Sequence, residues 1–246
     1  ASIAQREGRS YETGEQLLLR ILEERRRKWT GKGKYKEATP PVEVDGLHVP
    51  EGWVIGSAEQ VCSSVRDGTH DTPDYVAIGV PLITSKNLDE HGIDFENVKF
   101  ISEQDHAEIS KRSSVSGGDI LFAMIGTIGN PCEVKTDTRF SIKNVALFKA
   151  NSEFLHPTYF CYWLQSSPLN KWLEPRLKGT TQKFAPLGLL RELPTALPPF
   201  AEQVRIVAEV DRHLSILREV EAEIDTNLQR AQALRQATLA KAFSAN

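Results

Sequence analysis

The last fifth of the sequence leaves the backbone little choice. From Phe200 to Phe243 there is neither glycine nor proline, and Ala, Leu, Glu, Gln and Arg fill most positions. Leu197-Pro198-Pro199 stands just before it, ending whatever precedes and starting a helix. One continuous helix is expected, at ~1.5 Å per residue about 65 Å long, more than a small domain is wide. Val207, Val210, Leu214, Leu217, Ile224, Leu228 and Ala231 recur at spacings of three and four, the seam of a coiled coil. Glu221 and Arg235 fall on seam positions beside Val220 and Leu234, so the register is imperfect. A helix of this length cannot bury its seam on one small domain and needs a partner helix.

Upstream the pattern is different. Residues 11–29 read as a short amphipathic helix, with Leu17, Leu18, Ile21 and Leu22 on one side and a basic last turn that suits the helix dipole. Gly31, Gly33 and Pro40-Pro41 break it, and residues 30–50 form a polar linker. Short apolar runs at 75–82, 98–102, 120–125 and 145–149, separated by turn residues, are expected to be strands. Residues 156–165 and 168–173 read as short helices that start near a proline. The fold class is therefore α+β: a small mixed domain of short strands, a short N-terminal helix and the long C-terminal one. Expected boundaries are 1–36 for the N-terminal helix, 37–199 for the central domain and 200–246 for the distal helix.

Composition narrows the function. With 40% hydrophobic residues a sizeable core is affordable. No run approaches the ~18 apolar residues of a membrane span, and residues 1–10 lack a signal-peptide core, so a soluble cytoplasmic protein is expected. Met124 is the only methionine, which fits either initiator removal ahead of Ala1 or a piece of a longer chain. Cys62, Cys132 and Cys161 are odd in number and widely spaced, so reduced thiols rather than a metal site are expected. The net charge of -3 is not that of a basic nucleic-acid binder, but the charges are segregated. Arg25, Arg26, Arg27, Lys28, Lys32, Lys34 and Lys36 crowd one stretch, and Lys171, Arg176, Lys178, Lys183 and Arg191 another. Acidic residues gather between Asp89 and Glu108. Such segregation lets one face approach phosphate while another stays solvated; at Arg25–Lys36 a solvated helix end is the simpler reading.

Two catalytic patterns fall short on chemical grounds. Leu197-Pro198-Pro199-Phe200 has the PPF of adenine-N6 methyltransferases, but the residue before it must hold the amino group, and leucine cannot. No glycine-rich cofactor loop accompanies it, and no metal or cofactor is expected. Asp119, Glu133 and Lys135 follow the D…ExK order of magnesium-dependent nucleases, yet Gly117-Gly118-Asp119 reads more simply as a turn before a strand.

Other segments are more specific in combination. Asp67-Gly68-Thr69-His70 is followed by Thr72-Pro73 and Tyr75; then come Gly118-Asp119-Ile120-Leu121 and Gly126-Thr127-Ile128-Gly129. Gly179-Thr180-Thr181-Gln182-Lys183-Phe184 follows, and Leu197-Pro198-Pro199-Phe200-Ala201-Glu202-Gln203 with Arg205-Ile206-Val207 opens the long helix. In this order they resemble the specificity subunits of Type I restriction-modification systems, over about residues 52–243. A full subunit of that family has two recognition domains and two conserved helices. This chain, with one of each and an N-terminal segment like the end of the central helix, resembles the C-terminal half or a natural half-subunit that works by pairing.

The resemblance implies a non-catalytic module that binds one half of a bipartite duplex DNA target and docks methyltransferase and restriction subunits. Polar side chains on turn-like segments are the candidate DNA contacts: Thr69, His70, Lys86 and Asn87 in one group. Lys178, Thr180, Thr181, Gln182 and Lys183 form the other. The resemblance also implies that the distal helix packs antiparallel on a central one that is mostly absent here. The seam Val207, Val210, Leu214, Leu217, Ile224 and Leu228 is then expected to face water and to pair with a second copy. A magnesium nuclease and a coiled-coil adaptor without DNA binding remain the alternatives.

Overall fold

The computed structural model describes residues 12–42 and 46–244. The chain divides into two units, one through Gln203 and one from Val204. In the first, helix α1 (Gly14–Arg27) opens with a capping box, in which the Thr13 hydroxyl accepts the Gln16 N–H and the Gln16 side chain accepts the Thr13 N–H. Leu17 and Ile21 are buried and Leu18 and Leu22 half-buried, the stripe expected from the sequence. Tyr11, placed in the same helix by the sequence pattern, lies outside the described residues. Gly14 sits where an added Cβ would be 2.1 Å from the Leu197 carbonyl, so the helix start is pressed onto backbone.

Four small sheets make up the rest. Strand β1 (Val54–Ser57) runs antiparallel to β12 (Pro194–Leu197), closing the unit on itself. A second sheet has the order β2-β11-β8-β9, all antiparallel: β2 (Ser64–Asp67), β11 (Val145–Lys149), β8 (Ile120–Ala123) and β9 (Gly129–Glu133). A third has the order β10-β4-β7-β3, with β10 (Ser141–Lys143) parallel to β4 (Val80–Thr84), and β7 (Lys99–Ile101) antiparallel to both β4 and β3 (Tyr75–Val76). Strands β5 (Leu88–Asp89) and β6 (Gly92–Ile93) form a minimal hairpin.

The core lies on both faces of the second sheet. Leu121, Ala123, Val145 and Leu147 point to one side, where they meet Ile83 and Ile142 of the third sheet, Cys132, Val134 and Phe140. Phe122 and Phe148 point to the other and stack edge-to-face, centroids 6.1 Å apart; Phe160 of helix α4 (Pro157–Gln165) continues the stack at 5.5 Å. Burial on both faces is why β8 and β11 read as unbroken apolar runs rather than alternating ones.

The structure corrects the sequence reading in two places. The run 75–82 is two strands, not one: the chain turns at residues 77–79 so that β3 and β4 flank β7 on opposite sides. Gly79 permits this, since a Cβ there would be 2.2 Å from the Ile101 carbonyl. The acidic stretch also holds a helix, α3 (Glu103–Ser113), capped by the Ser102 hydroxyl on the Asp105 N–H. The remaining helices of this unit are short: α2 (Ala58–Val61), α5 (Ser167–Leu173) and α6 (Leu187–Arg191).

Helix α7 (Phe200–Phe243) has the bounds set by the absence of glycine and proline. At its start Gln203 is fully buried, accepting the His156 N–H and donating to the Phe154 and Pro198 carbonyls, while Glu202 accepts the Trp53 indole N–H. The second unit is the rest of this helix. Along the expected seam Val207 is buried, Val210 and Leu214 are half-buried, and Leu217, Ile224 and Leu228 are more than half exposed. The seam therefore faces solvent over its distal part only, a narrower stretch than the sequence reading gave. Arg212 and His213 hold the exposed Glu209 carboxyl down at about 2.

The three cysteines are free and buried, and burial pushes the Cys132 thiol up to about 11 and the Cys161 thiol up to about 12; Cys62 is raised as well. Thiolate is the reactive form, so near neutral pH these groups should be inert. A colorimetric thiol titration of the native protein is expected to proceed far more slowly than that of the urea-unfolded chain, which releases all three. Rapid native reaction of any one would show that its surroundings open.

Candidate nucleic-acid interface

Two of the segments singled out in the sequence meet at one residue. β10 and β11 belong to different sheets yet are separated only by Asn144, which takes a left-handed conformation (φ 54°). Asparagine tolerates that region better than most residues, and here it lets the chain step from one sheet to the other. The strand leaving β2 crosses at the same point: Gly68 N–H donates to Val145 O (2.9 Å), Thr69 N–H to Ile142 O (3.1 Å), and Asn144 N–H to Thr69 O (3.1 Å). A Cβ on Gly68 would lie 2.1 Å from the Ile142 oxygen, so only glycine fits.

Side chains tie the loop down further. Asp67 is buried, and its carboxylate accepts from Arg112 of α3 and is hydrogen-bonded to His70 Nε2 (3.0 Å). The other nitrogen of His70 meets the Asn144 side-chain oxygen at 3.0 Å. Lys143 donates to Thr72, and the Ser85 hydroxyl to the Asn144 carbonyl (3.0 Å), which brings the turn Ser85–Asn87 to the same place. Thr69 is half-buried, whereas His70 and Lys86 are exposed. Asn87 is a correction. It is buried, accepts from the Thr84 N–H and hydroxyl and donates to the Asn97 carbonyl, so its amide is spent on the turn.

The second group of candidates sits on a hairpin. Lys178 and Phe184 exchange both backbone hydrogen bonds (3.0 and 2.8 Å) and enclose residues 179–183, all exposed. Gly179 has φ 94°, and a Cβ there would be 2.2 Å from the Gln182 carbonyl. Ala185 N–H donates to Met124 O (2.9 Å) and Phe184 bridges Ile125, which sews the hairpin to the chain leaving β8 just before the turn at Gly126. Between hairpin and loop lies a mainly apolar cavity of about 470 Å³, lined by Asp67, His70 and Asn144 on one side and Met124, Ile125 and Phe184 on the other. Thr69, His70, Lys86 and the hairpin are thus brought onto neighbouring loops. Asn144, Lys143 and Arg112 were missed by the sequence reading, because Lys143 and Asn144 lie just outside the apolar run 145–149 and Arg112 on a helix the sequence did not show.

The carboxylates of the D…ExK pattern are otherwise engaged. Asp119 pairs with Lys149 (2.7 Å) and accepts the Ser116 N–H (2.8 Å), with burial pushing its carboxyl up. Glu133 accepts the Thr158 hydroxyl (2.8 Å), with Lys135 at 3.4 Å. Asp119 closes the turn that leads into β8. Leu197 of the PPF pattern is a buried strand residue. Among the described residues no helix is long and apolar enough to cross a membrane.

The chain is 28% identical over 215 residues to the Type I restriction enzyme EcoBI specificity subunit of Escherichia coli, covering 83% of this chain and 44% of that one. The chain resembles half of a Type I specificity subunit. The EcoKI specificity subunit of E. coli strain K12 is 22% identical over 193 residues, 75% of this chain and 41% of that one. No family model matches the chain. Among solved structures, the HsdS subunit from Thermoanaerobacter tengcongensis superposes with a TM-score of 0.60 over 80% of this chain and 51% of its own, at 24% identity. A chain of a type I R-M system gives 0.59 over 81% and 47%, at 22% identity. These two establish the fold, and the chain spans about half the length of the specificity subunits it matches.

The crossing makes a prediction with opposite signs at two glycines. Gly68→Ala forces the β2 exit away from Ile142 and should destabilise the protein by about 2–3 kcal/mol, as overpacking a close contact does. Gly188→Ala in α6, with open space around it, should be neutral or stabilising by up to ~1 kcal/mol. Urea unfolding midpoints measure both.

Proposed function

We propose that the chain is one DNA-recognition half of a Type I specificity subunit, binding one half of a bipartite duplex target. The observation that carries this is the convergence of the 67–72 loop, the Ser85–Asn87 turn and the 178–184 hairpin around Asn144. Thr180, Thr181 and Gln182 offer the donors and acceptors that read base edges, and Lys86, Lys178 and Lys183 the charge that holds phosphate; Thr69 and His70 border the same surface. Methyl transfer and cleavage come from separate modification and restriction subunits that the assembled protein docks, in the cytoplasm. The expected divisions at 36/37 and 199/200 mark the connector, the recognition domain and the distal helix. Isolated protein should retain duplex DNA weakly, with affinity falling as salt rises. Lys178→Ala with Lys183→Ala should weaken binding to all sequences and flatten the salt dependence by about two contacts, at ~0.9 per phosphate in log-log slope. Fluorescence anisotropy across a salt series reads both, and an unchanged slope removes the hairpin from the DNA face.

The distal helix supports a second part of the reading. Leu217, Val220, Ile224 and Leu228 are each about half exposed or more along one helix. Burying each against a partner contributes about 1.5–3 kcal/mol. We propose that two copies pair antiparallel through this seam, with Val207, Val210 and Leu214 at its proximal end, giving a twofold assembly with two recognition units. Light scattering should give a dimer mass, and Leu217→Glu with Leu228→Glu should give a monomer that still binds duplex. A monomer of the unaltered protein at tens of micromolar would falsify the pairing.

A further inference from the structure

The first unit holds a second, larger concavity, away from the loops around Asn144. It has a volume of about 630 Å³ and lies between the last turn of α1, β2 and the end of α6. Arg25, Lys28, Arg66 and Arg191 line it, with Trp29 and Tyr35. Two carboxylates share the lining, but both are engaged. Glu24 is paired with Lys28 (2.8 Å) and Arg27, which hold its carboxyl below the usual range, and Glu59 accepts the Thr39 N–H (3.0 Å). Arg66 is exposed and makes no ion pair among the described residues. Arg191 makes two long bonds of 3.4 Å to the Val65 carbonyl. The groove therefore carries four cationic side chains against two carboxylates, with Lys28 and Glu24 paired to each other.

Two donors in its wall lack acceptors. Arg25 gives one guanidinium nitrogen to the Cys62 and Ser63 carbonyls, which fixes the side chain, but its Nε is buried without a partner. The Tyr35 hydroxyl is buried without a partner as well, on a ring stacked edge-on to Trp29 at 5.9 Å and covered by Arg26. Buried donors are rarely left empty, because each loses its water without recompense. The unpartnered Arg25 Nε and Tyr35 hydroxyl, beside the exposed Arg66, match a group that only accepts and carries negative charge, as phosphate does.

We infer that this groove holds a backbone phosphate of the duplex DNA, a contact beyond those assigned to the loops around Asn144. The inference rests on the DNA-recognition reading. The path of the chain favours a DNA phosphate over a free one. Arg66 directly precedes Asp67, and α6 connects the two concavities, with Leu187 lining the apolar cavity and Arg191 the basic groove. Those residues are four helical steps apart, about 6 Å at 1.5 Å each, against about 7 Å for two base-pair steps of one strand at 3.4 Å. The two concavities are thus joined by a single turn of helix.

The test compares duplex binding by the unaltered chain, Lys28→Gln with Arg66→Gln, Tyr35→Phe, and Lys178→Ala with Lys183→Ala. The groove pair should lower duplex affinity about tenfold at low salt and reduce the log-log salt slope by about one contact, ~0.9. Tyr35→Phe keeps the ring contacts and removes only the unpaired hydroxyl. It should weaken binding several-fold while leaving the free protein's urea midpoint unchanged or higher, an outcome a purely structural tyrosine would not give. If the hairpin pair loses affinity while both groove variants bind as the unaltered chain does, the recognition reading stands and the groove proposal falls. If inorganic phosphate stabilises the unaltered protein in a Tyr35-dependent way but duplex affinity ignores the groove, the site takes small anions and the DNA assignment is overturned. If the unaltered chain shows no salt-dependent retention of duplex, both readings fail together.

Discussion

At Asn144 the chain leaves one sheet and enters the next without an intervening loop, and the strand emerging from β2 passes the same point hydrogen-bonded on both sides. The 67–72 loop and the Ser85–Asn87 turn hang from this crossing. The backbone bonds of Gly68, Thr69 and Asn144 set the positions of the two crossing strands. The buried Asp67 carboxylate then gathers Arg112 from α3 and His70 from the loop, and His70 closes the ring back onto Asn144. A binding loop fastened in this way gives up little conformational entropy when it meets a partner. The exposed hairpin is held differently, by a glycine that admits its tight closure and by a short bridge to the end of β8.

The layering explains why such a small unit can carry these loops. The second sheet is covered on both faces, by the aromatic stack reaching α4 and by the aliphatic cluster shared with the third sheet. The 67–72 loop leaves the buried end of β2, at Asp67 and Gly68, where the two sheets join. Gln203, fully buried with three hydrogen bonds, fixes the beginning of α7 to the chain before it. That gives the Glu202-Gln203 pair a structural role.

The sequence was most legible where backbone chemistry alone decides. The bounds of α7 follow from the absence of glycine and proline between Phe200 and Phe243, and β11 matches the apolar run 145–149. The order of the motifs pointed to the family resemblance, and the structure places Thr69, His70 and Lys86 on loops near one another. The sequence reading failed where an outcome depends on what lies opposite. Gly79 breaks an apparent strand because it must pass over the Ile101 carbonyl. Helix α3 presents little apolar surface, with Ser113 its only buried residue, so its stripe is too faint to read. Asn87 and Asn144 are chemically identical in the sequence, yet one folds inward to satisfy a turn and the other joins two sheets beside the exposed loops. The basic groove was hidden for a similar reason: Arg25 of α1 and Lys28, which caps its C-terminus, meet Arg66 and Arg191 only through tertiary packing.

In the proposed function the loops around Asn144 act as one surface toward duplex DNA. Amide hydrogen exchange of the protein with and without duplex tests this most directly. Slowed exchange that appears together in residues 67–72, 85–87 and 178–184, at the same duplex concentration, is the predicted result. Protection confined to α7, or none in these three segments while duplex is bound, would contradict it.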